Sequence, residues 1–142
     1  MAMPVSHILV SVSTPWAAQH MLAPLTSLAK RLEAGVTVLH IMRRGGGNPA
    51  KQLEDGRQVL NMVCERLKAE QVPCQSQLLE PSEDIAGAIL DVARDVGATL
   101  LFLGISGKSP FARTAGGDIP IQLIRRTTIP VLMLPPALDI KL

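Results

Sequence analysis

Aromatic side chains are scarce in this sequence of 142 residues, which has two Phe, one Trp and no Tyr. Proteins that bind single-stranded nucleic acid stack bases on aromatic rings, so this composition argues against such binding. The charge balance argues the same way, because 14 basic and 12 acidic residues leave a net charge of only +2 and little general attraction to polyanions. We therefore expect no nucleic-acid partner.

Long apolar runs and paired metal-ligand motifs are also lacking. No apolar run approaches the roughly 20 residues of a membrane-spanning helix, and residues 1–7 do not have the basic-then-apolar layout of a secretory signal. We expect a cytoplasmic protein with no membrane partner. Cys64 and Cys74 form no C-x-x-C motif and have no histidine at metal-ligand spacing. We expect both to be reduced thiols and expect no metal site.

Five short apolar segments alternate with helical patterns. The content of 47% hydrophobic and 18% charged residues is that of a folded chain, and the length fits a single domain over residues 1–142. The predicted strands are 7–13, 36–42, 74–79, 99–103 and 129–134. Segment 74–79 is the most polar and is expected at a sheet edge. Strands separated by helices predict an α/β fold, a doubly wound parallel sheet with helices on both faces.

Caps and turn residues define four predicted helices. They run from Pro15 to Gly35, from Pro49 to about Glu70, from Ser82 to Gly97 and from about Asp118 to Arg126. Ser82 is the expected N-cap and Gly97 the expected C-cap of the third helix. Pro24 is a candidate kink in the first helix, and the second helix should be amphipathic.

Basic and hydroxyl groups follow three of the predicted strands. Ligands of doubly wound folds lie beyond the carboxyl ends of the strands, where the strand order reverses. The loops after strands one, two and four contain Ser13-Thr14, Arg43-Arg44, and Lys108 with Arg113. Two interpretations stay open at this point: a ligand site, or a solvated charged rim.

The loop after strand four is rich in glycine, at Gly104, Gly107 and Gly117. Glycines allow close approach of the backbone to a ligand, and the N–H groups at a helix start bind phosphate oxygens. A P-loop is excluded because Phe102 stands where its first glycine would be. The alternative is an ordinary flexible loop with turn glycines.

Three parts of the sequence resemble the universal stress protein family, and the resemblance covers nearly the whole chain. The first is "HILVSVSTPWAAQHMLAPLTSLAKRLEAGVTVLHIM", the second is "RRTTIPVLMLPP", and the third is the spacing G-x2-G-x9-G from Gly104 to Gly117. The resemblance implies sheet order 3-2-1-4-5, a homodimer, and a role in stress response through ATP or AMP binding without catalysis.

The resemblance also implies which residues form the nucleotide pocket. The implied nucleotide-binding residues are Ser13, Thr14, Ile41, Gly104, Gly107, Lys108, Gly117 and Asp118. Two of them depart from the family pattern. Ser13 replaces a common aspartate at the end of strand one, and Asp118 replaces a Ser or Thr that donates to a phosphate. The charge of Asp118 opposes a phosphate, so we expect ATP to bind weakly or not at all, although Asp118 would also serve as a helix N-cap.

A dimeric scaffold is the alternative to a nucleotide-binding module. Its pocket would be degenerate or adapted to another small ligand. Strand five would be an edge strand, and Val131, Leu132 and Met133 carry no charge that would prevent pairing with a second copy. An enzyme is not expected, since the motifs place no carboxylate or nucleophile beside His7, His20 or His40.

Overall fold

A computed structural model describes residues 6–12, 15–42, 47–104 and 119–134. Strands and helices alternate along these ranges. Their bounds are β1 His7–Ser11, α1 Pro15–Leu32, β2 Gly35–Ile41, α2 Pro49–Ala69, β3 Cys74–Leu79, α3 Ile85–Val96, β4 Leu100–Gly104, α4 Ile119–Arg126 and β5 Val131–Leu134.

The strands form one parallel sheet in the order β3-β2-β1-β4-β5. This confirms the predicted fold class and strand order. The chain builds outward from β1 in one direction through β2 and β3, and then in the other through β4 and β5. The strand order therefore reverses between β1 and β4, which is where ligands of such folds bind.

Two apolar layers cover the sheet, which explains why β1 is apolar on both faces. Ile8 and Val10 pack with α1 and α2 on one face, while Leu9 packs with α3 and α4 on the other. All three side chains are at most 1% exposed. A strand covered on both faces reads as a continuous apolar run, so β1, β2 and β4 were the easiest strands to predict.

The third helix begins two residues later than predicted. Its N-cap is Asp84, whose carboxylate accepts the N–H of Gly87 at 3.0 Å. The hydroxyl of Ser82 instead accepts the N–H of Asp84 itself at 3.2 Å. A charged acceptor makes the stronger cap, and Ser82 supports it. Gly97 ends the helix with φ of 69°, as predicted.

Two further boundaries differ from the sequence prediction. α1 includes Pro24 and ends at Leu32, and Gly35, the predicted end of this helix, is instead the first residue of β2. β5 begins at Val131 and not at Ile129. β5 begins late because the hydroxyl of Thr127 accepts the N–H of Ile129 at 3.0 Å, and because Pro130 has no N–H to donate to the ladder.

The expectation of two reduced thiols was wrong. Cys64 on α2 and Cys74 at the start of β3 form a disulfide, with Cα atoms 5.4 Å apart. α2 reverses into β3 through a short turn in which Gln71 has φ of 64°. The turn returns the chain alongside the last turns of the helix, which brings the two cysteines together.

Candidate functional site

The carboxyl ends of β1, β2 and β4 meet at one edge of the sheet, which we call the carboxyl edge. Val12 directly follows β1, Met42 directly follows β2, and Gly104 ends β4. The backbone N–H of Val12 donates to the carbonyl of Leu39 at 2.9 Å, and that of Met42 donates to Leu79 at 3.0 Å. Strand pairing therefore continues up to the points where the candidate loops begin.

His40 holds the end of β1 against β2. Its Nδ1 lies 2.8 Å from the carbonyl oxygen of Val12, so the imidazole donates where the backbone ladder ends. The other side of the ring lies against α2 at Gly56, where an added Cβ would be only 2.7 Å from Cδ2 of His40. Three elements, β1, β2 and α2, thus meet at this histidine.

Two residues of the implied pocket lie in the described part of the chain. Ile41 ends β2 and is half-buried. Gly104 is exposed, and a Cβ at this position would lie 2.9 Å from Sδ and 3.1 Å from Cγ of Met21 on α1. Packing against α1 therefore favours glycine here, in addition to the ligand approach inferred from the sequence.

The remaining implied residues lie outside the described residues. They are Ser13, Thr14, Gly107, Lys108, Gly117 and Asp118, together with the basic residues Arg43, Arg44 and Arg113. α4 begins at Ile119, the residue that follows Asp118. The described part of the site is thus the carboxyl edge of the sheet.

The strongest charge pair in the described residues joins α3 to α4. Arg126 donates from both terminal nitrogens to Asp84, at 2.8 Å and 3.0 Å. The hydrogen bond from Arg126, followed by that from the Gly87 N–H, lowers the pKa of Asp84 to about 2. The hydrogen bond with Asp84 in turn raises the pKa of Arg126. The pair fixes the first turn of α3 relative to the last turn of α4.

The other two histidines, His7 and His20, lie in different parts of the fold. His7 lies at the amino end of β1, opposite the carboxyl edge, where its Nε2 is 2.7 Å from Oγ1 of the buried Thr37. Burial lowers the pKa of His7, so the ring is neutral near pH 7. His20 lies on the exposed face of α1. Among the described residues, no three His, Cys, Asp or Glu side chains are grouped closely enough to hold a metal.

Three cavities formed by described residues lie away from the carboxyl edge. One of 540 Å³ lies between α3 and residues 126–129, and another of 770 Å³ lies between α1 and α2. A third of 300 Å³ lies where β1, β2 and β3 begin.

None of the helices within the described ranges is sufficiently long and apolar to cross a bilayer.

Comparisons with known proteins agree with this architecture. The model of the universal stress protein family matches residues 4–135. A protein of that family from Burkholderia pseudomallei is 26% identical, with a TM-score of 0.72 over 95% of this chain and 99% of its own. No curated protein sequence matches the chain.

Two more distant structures share the fold and contain nucleotides. The universal stress protein from Archaeoglobus fulgidus in complex with dAMP is 20% identical, with a TM-score of 0.70 over 92% of this chain and 98% of its own. A universal stress protein family protein from Arabidopsis thaliana with AMP bound is 14% identical, with a TM-score of 0.65 over 92% of this chain and 91% of its own.

Proposed function

Because the chain belongs to the universal stress protein family, we propose that it binds an adenine nucleotide, ATP or AMP, at the carboxyl edge. The proposed role is non-catalytic binding in the stress response, by a single cytoplasmic domain over residues 1–142. One observation carries this proposal: the reversal of strand order between β1 and β4 brings Ile41 and Gly104 to the same edge of the sheet.

The proposed pocket uses the loops that leave this edge. Ser13 and Thr14 would lie near the ribose, and the backbone of Ile41 would contact the base. Gly104, Gly107, Lys108 and Gly117 would surround the phosphates. The nucleotides in the Archaeoglobus and Arabidopsis proteins support an adenine nucleotide as the ligand class.

Asp118 is the feature that distinguishes this pocket. It stands directly before α4, where a helix N-terminus would favour a phosphate and a carboxylate would compete for the same N–H groups. Two like charges about 4 Å apart repel by roughly 4 kcal/mol at an effective dielectric of about 20. We therefore propose that ATP binds weakly and that AMP, with fewer phosphate charges, binds better.

Calorimetric titration with ATP and AMP tests this proposal. The natural protein, Asp118→Ser and Asp118→Asn form a matched set, because Asn removes the charge without adding a hydroxyl. We expect both variants to bind ATP more tightly, and Ser to exceed Asn if a hydroxyl donor also contributes. Submicromolar ATP affinity in the natural protein, or unchanged affinity in both variants, would contradict the role of Asp118.

A dimeric scaffold, the second candidate, is favoured by the exposed edge of the sheet. β5 pairs only with β4 in the described sheet, and Val131, Leu132 and Met133 are half-buried. Ile124 of the preceding helix is 52% exposed. A second copy related by a two-fold axis would cover this edge in a closed contact. Such a homodimer is compatible with a nucleotide site that is active, degenerate or adapted to another small ligand.

A further inference from the structure

The disulfide between Cys64 and Cys74 lies far from the carboxyl edge. Cys64 is on the last turns of α2, and Cys74 is the first residue of β3. β3 is the edge strand at the opposite end of the sheet from β5. The bond therefore connects a helix of the core to the start of an edge strand.

The two sulfur-bearing residues differ in accessibility. Cys64 is 8% exposed and packs in the apolar layer that contains Val63 and Leu67. Cys74 is only half-buried and lines the 300 Å³ cavity, together with His7, Gly35, Pro73 and Gln75. Of the two cysteines, Cys74 is therefore the one more open to a small reagent.

The neighbourhood of the bond is held together by other interactions as well. β3 pairs with β2 at six successive positions, from Val36↔Cys74 to Ile41↔Leu79. The N–H of Val36 donates to the carbonyl of Pro73 at 2.9 Å, and Val72 is 3% exposed. The amide of Gln75 donates to Oγ1 of Thr37 at 2.9 Å. These contacts would keep β3 in place after the bond is broken.

From this arrangement we propose that Cys64–Cys74 is a thiol–disulfide exchange site, open to small thiols at Cys74, the more exposed of its two cysteines. In a reducing compartment, a bond of this kind is exchanged and not permanent. The edge strand would then exist in two forms, linked to α2 when the bond is formed and more loosely held when it is reduced.

The exchange reaction with a dithiol proceeds in two steps. A thiolate of the dithiol attacks Sγ of Cys74, and the electron pair of the broken S–S bond leaves on Sγ of Cys64, which takes a proton from solvent. The second thiolate then attacks its partner sulfur in the mixed disulfide and releases Cys74, which is protonated in turn. The protein gains two electrons and two protons, and the dithiol becomes a cyclic disulfide. A monothiol first forms the mixed disulfide on Cys74, and a second molecule of it is needed to release the Cys74 thiol as the oxidised monothiol forms.

Mass spectrometry of the full chain under native conditions tests the exchange. Oxidised protein is incubated with dithiothreitol or with glutathione at neutral pH, quenched in acid, alkylated and mapped. We expect dithiothreitol to open the bond while the circular dichroism spectrum stays unchanged, and glutathione to add to Cys74. A bond that opens only in denaturant, an adduct on Cys64 in preference to Cys74, or thiols that remain free in oxidising buffer would overturn the proposal.

Charge variants beside Cys74 provide a matched control for access to its sulfur. Ser76 is exposed and lies two residues after Cys74, on the same face of β3. Glutathione is anionic at neutral pH, so we expect Ser76→Glu to slow its addition and Ser76→Lys to accelerate it, each several-fold. The rate with uncharged mercaptoethanol should stay within about twofold in both variants. Equal effects of both variants on both thiols would contradict attack from this face.

Hydrogen exchange tests whether the effect of reduction is local. We expect faster amide exchange at residues 74–79 and at the end of α2 in the reduced protein, with β1 and β4 unchanged. A uniform acceleration across the sheet, or none at all, would contradict a bond that controls the edge strand.

Discussion

At Gly56, close packing against neighbouring side chains favours glycine over any larger residue. It is buried in the middle of α2, and an added Cβ would lie 2.7 Å from Cδ2 of His40 and 2.8 Å from Cδ1 of Leu78. The hydrogen bond from His40 to Val12 limits how far the ring can move. The amino-acid sequence shows a glycine inside a helix, which is unfavourable by about 1 kcal/mol relative to alanine, but not the side chains that require it.

We expect Gly56→Ala to lower the free energy of unfolding by up to about 2 kcal/mol, because overpacking costs about 1–3 kcal/mol and the gain in helix propensity offsets only about 1 kcal/mol of it. Urea denaturation measures this change. Asn61→Ala, on the exposed side of the same helix, should instead be neutral or slightly stabilising. The cost of Gly56→Ala should shrink in a His40→Ala background, and an equal cost in both backgrounds would refute the contact.

At the scale of elements, the Asp84–Arg126 pair links the start of α3 to the end of α4. Both side chains are substantially exposed, yet the pair is bidentate and also caps a helix. Capping by Asp84 and pairing with Arg126 depend on the same ionised carboxylate, so its titration affects both helices.

The pH dependence of stability follows from the lowered pKa of Asp84. The pKa falls from 3.8 to about 2 in the folded protein, so the unfolded chain binds the proton more readily. The contribution is complete above about pH 4 and is lost as the pH falls through about 2. We expect the stability difference between the natural protein and Asp84→Asn to shrink over this range in urea titrations. A difference that stays constant down to pH 2 would contradict this role.

Arg126→Gln is the matched variant for this titration. It removes the largest cause of the shift and keeps the Gly87 N–H, so the pKa of Asp84, followed by NMR of its carboxyl carbon, should rise toward the ordinary value. An unchanged pKa in this variant would show that the hydrogen bond from the Gly87 N–H alone keeps the pKa of Asp84 low.

The elements that sequence reasoning located best are those whose signal is local. Continuous apolar runs identified β1, β2 and β4, and Gly97 identified the end of α3. The boundary of β5 was predicted too early, since the apolar run begins at Ile129 and the prediction did not consider that the Thr127 hydroxyl accepts the N–H of Ile129. The disulfide was missed because it depends on a tertiary approach across the turn at Gln71 and because the expected compartment favoured thiols. The spacing of two cysteines around the end of a helix was the available signal.

The candidate site was likewise predicted only in part. Ile41 and Gly104 were implied by the resemblance to the family, and the sheet places both at one edge. His40 was not predicted to bind Val12, because this hydrogen bond depends on which strands are neighbours. The roles of Ser13, Thr14, Gly107, Lys108, Gly117 and Asp118 stay predictions.

At the scale of the whole molecule, the two sheet edges differ in composition. The exposed polar residues Gln75 and Ser76 lie on β3, whereas β5 consists of Val131 to Leu134. An apolar edge strand without charged residues favours pairing with another chain, and polar residues disfavour it. The asymmetry supports β5 as the edge through which two copies would meet.

We expect light scattering to show a homodimer and Val131→Lys to weaken it at least tenfold, since a charge would be buried at the two-fold contact. Ser76→Lys, which adds the same charge to the opposite edge, should leave the dimer unchanged. A monomeric natural protein, or equal effects of both substitutions, would refute this interface.

The nucleotide site at the carboxyl edge is tested most directly by titrating ¹⁵N-labelled protein with AMP and following the backbone amides by NMR. We predict the largest shifts at Val12, Ile41 and Gly104, which lie at that edge, and little change at Gln75 and Gly97, which line the other cavities. Shifts centred on Gly97 and Arg126, or no shifts at millimolar AMP, would contradict the proposed site.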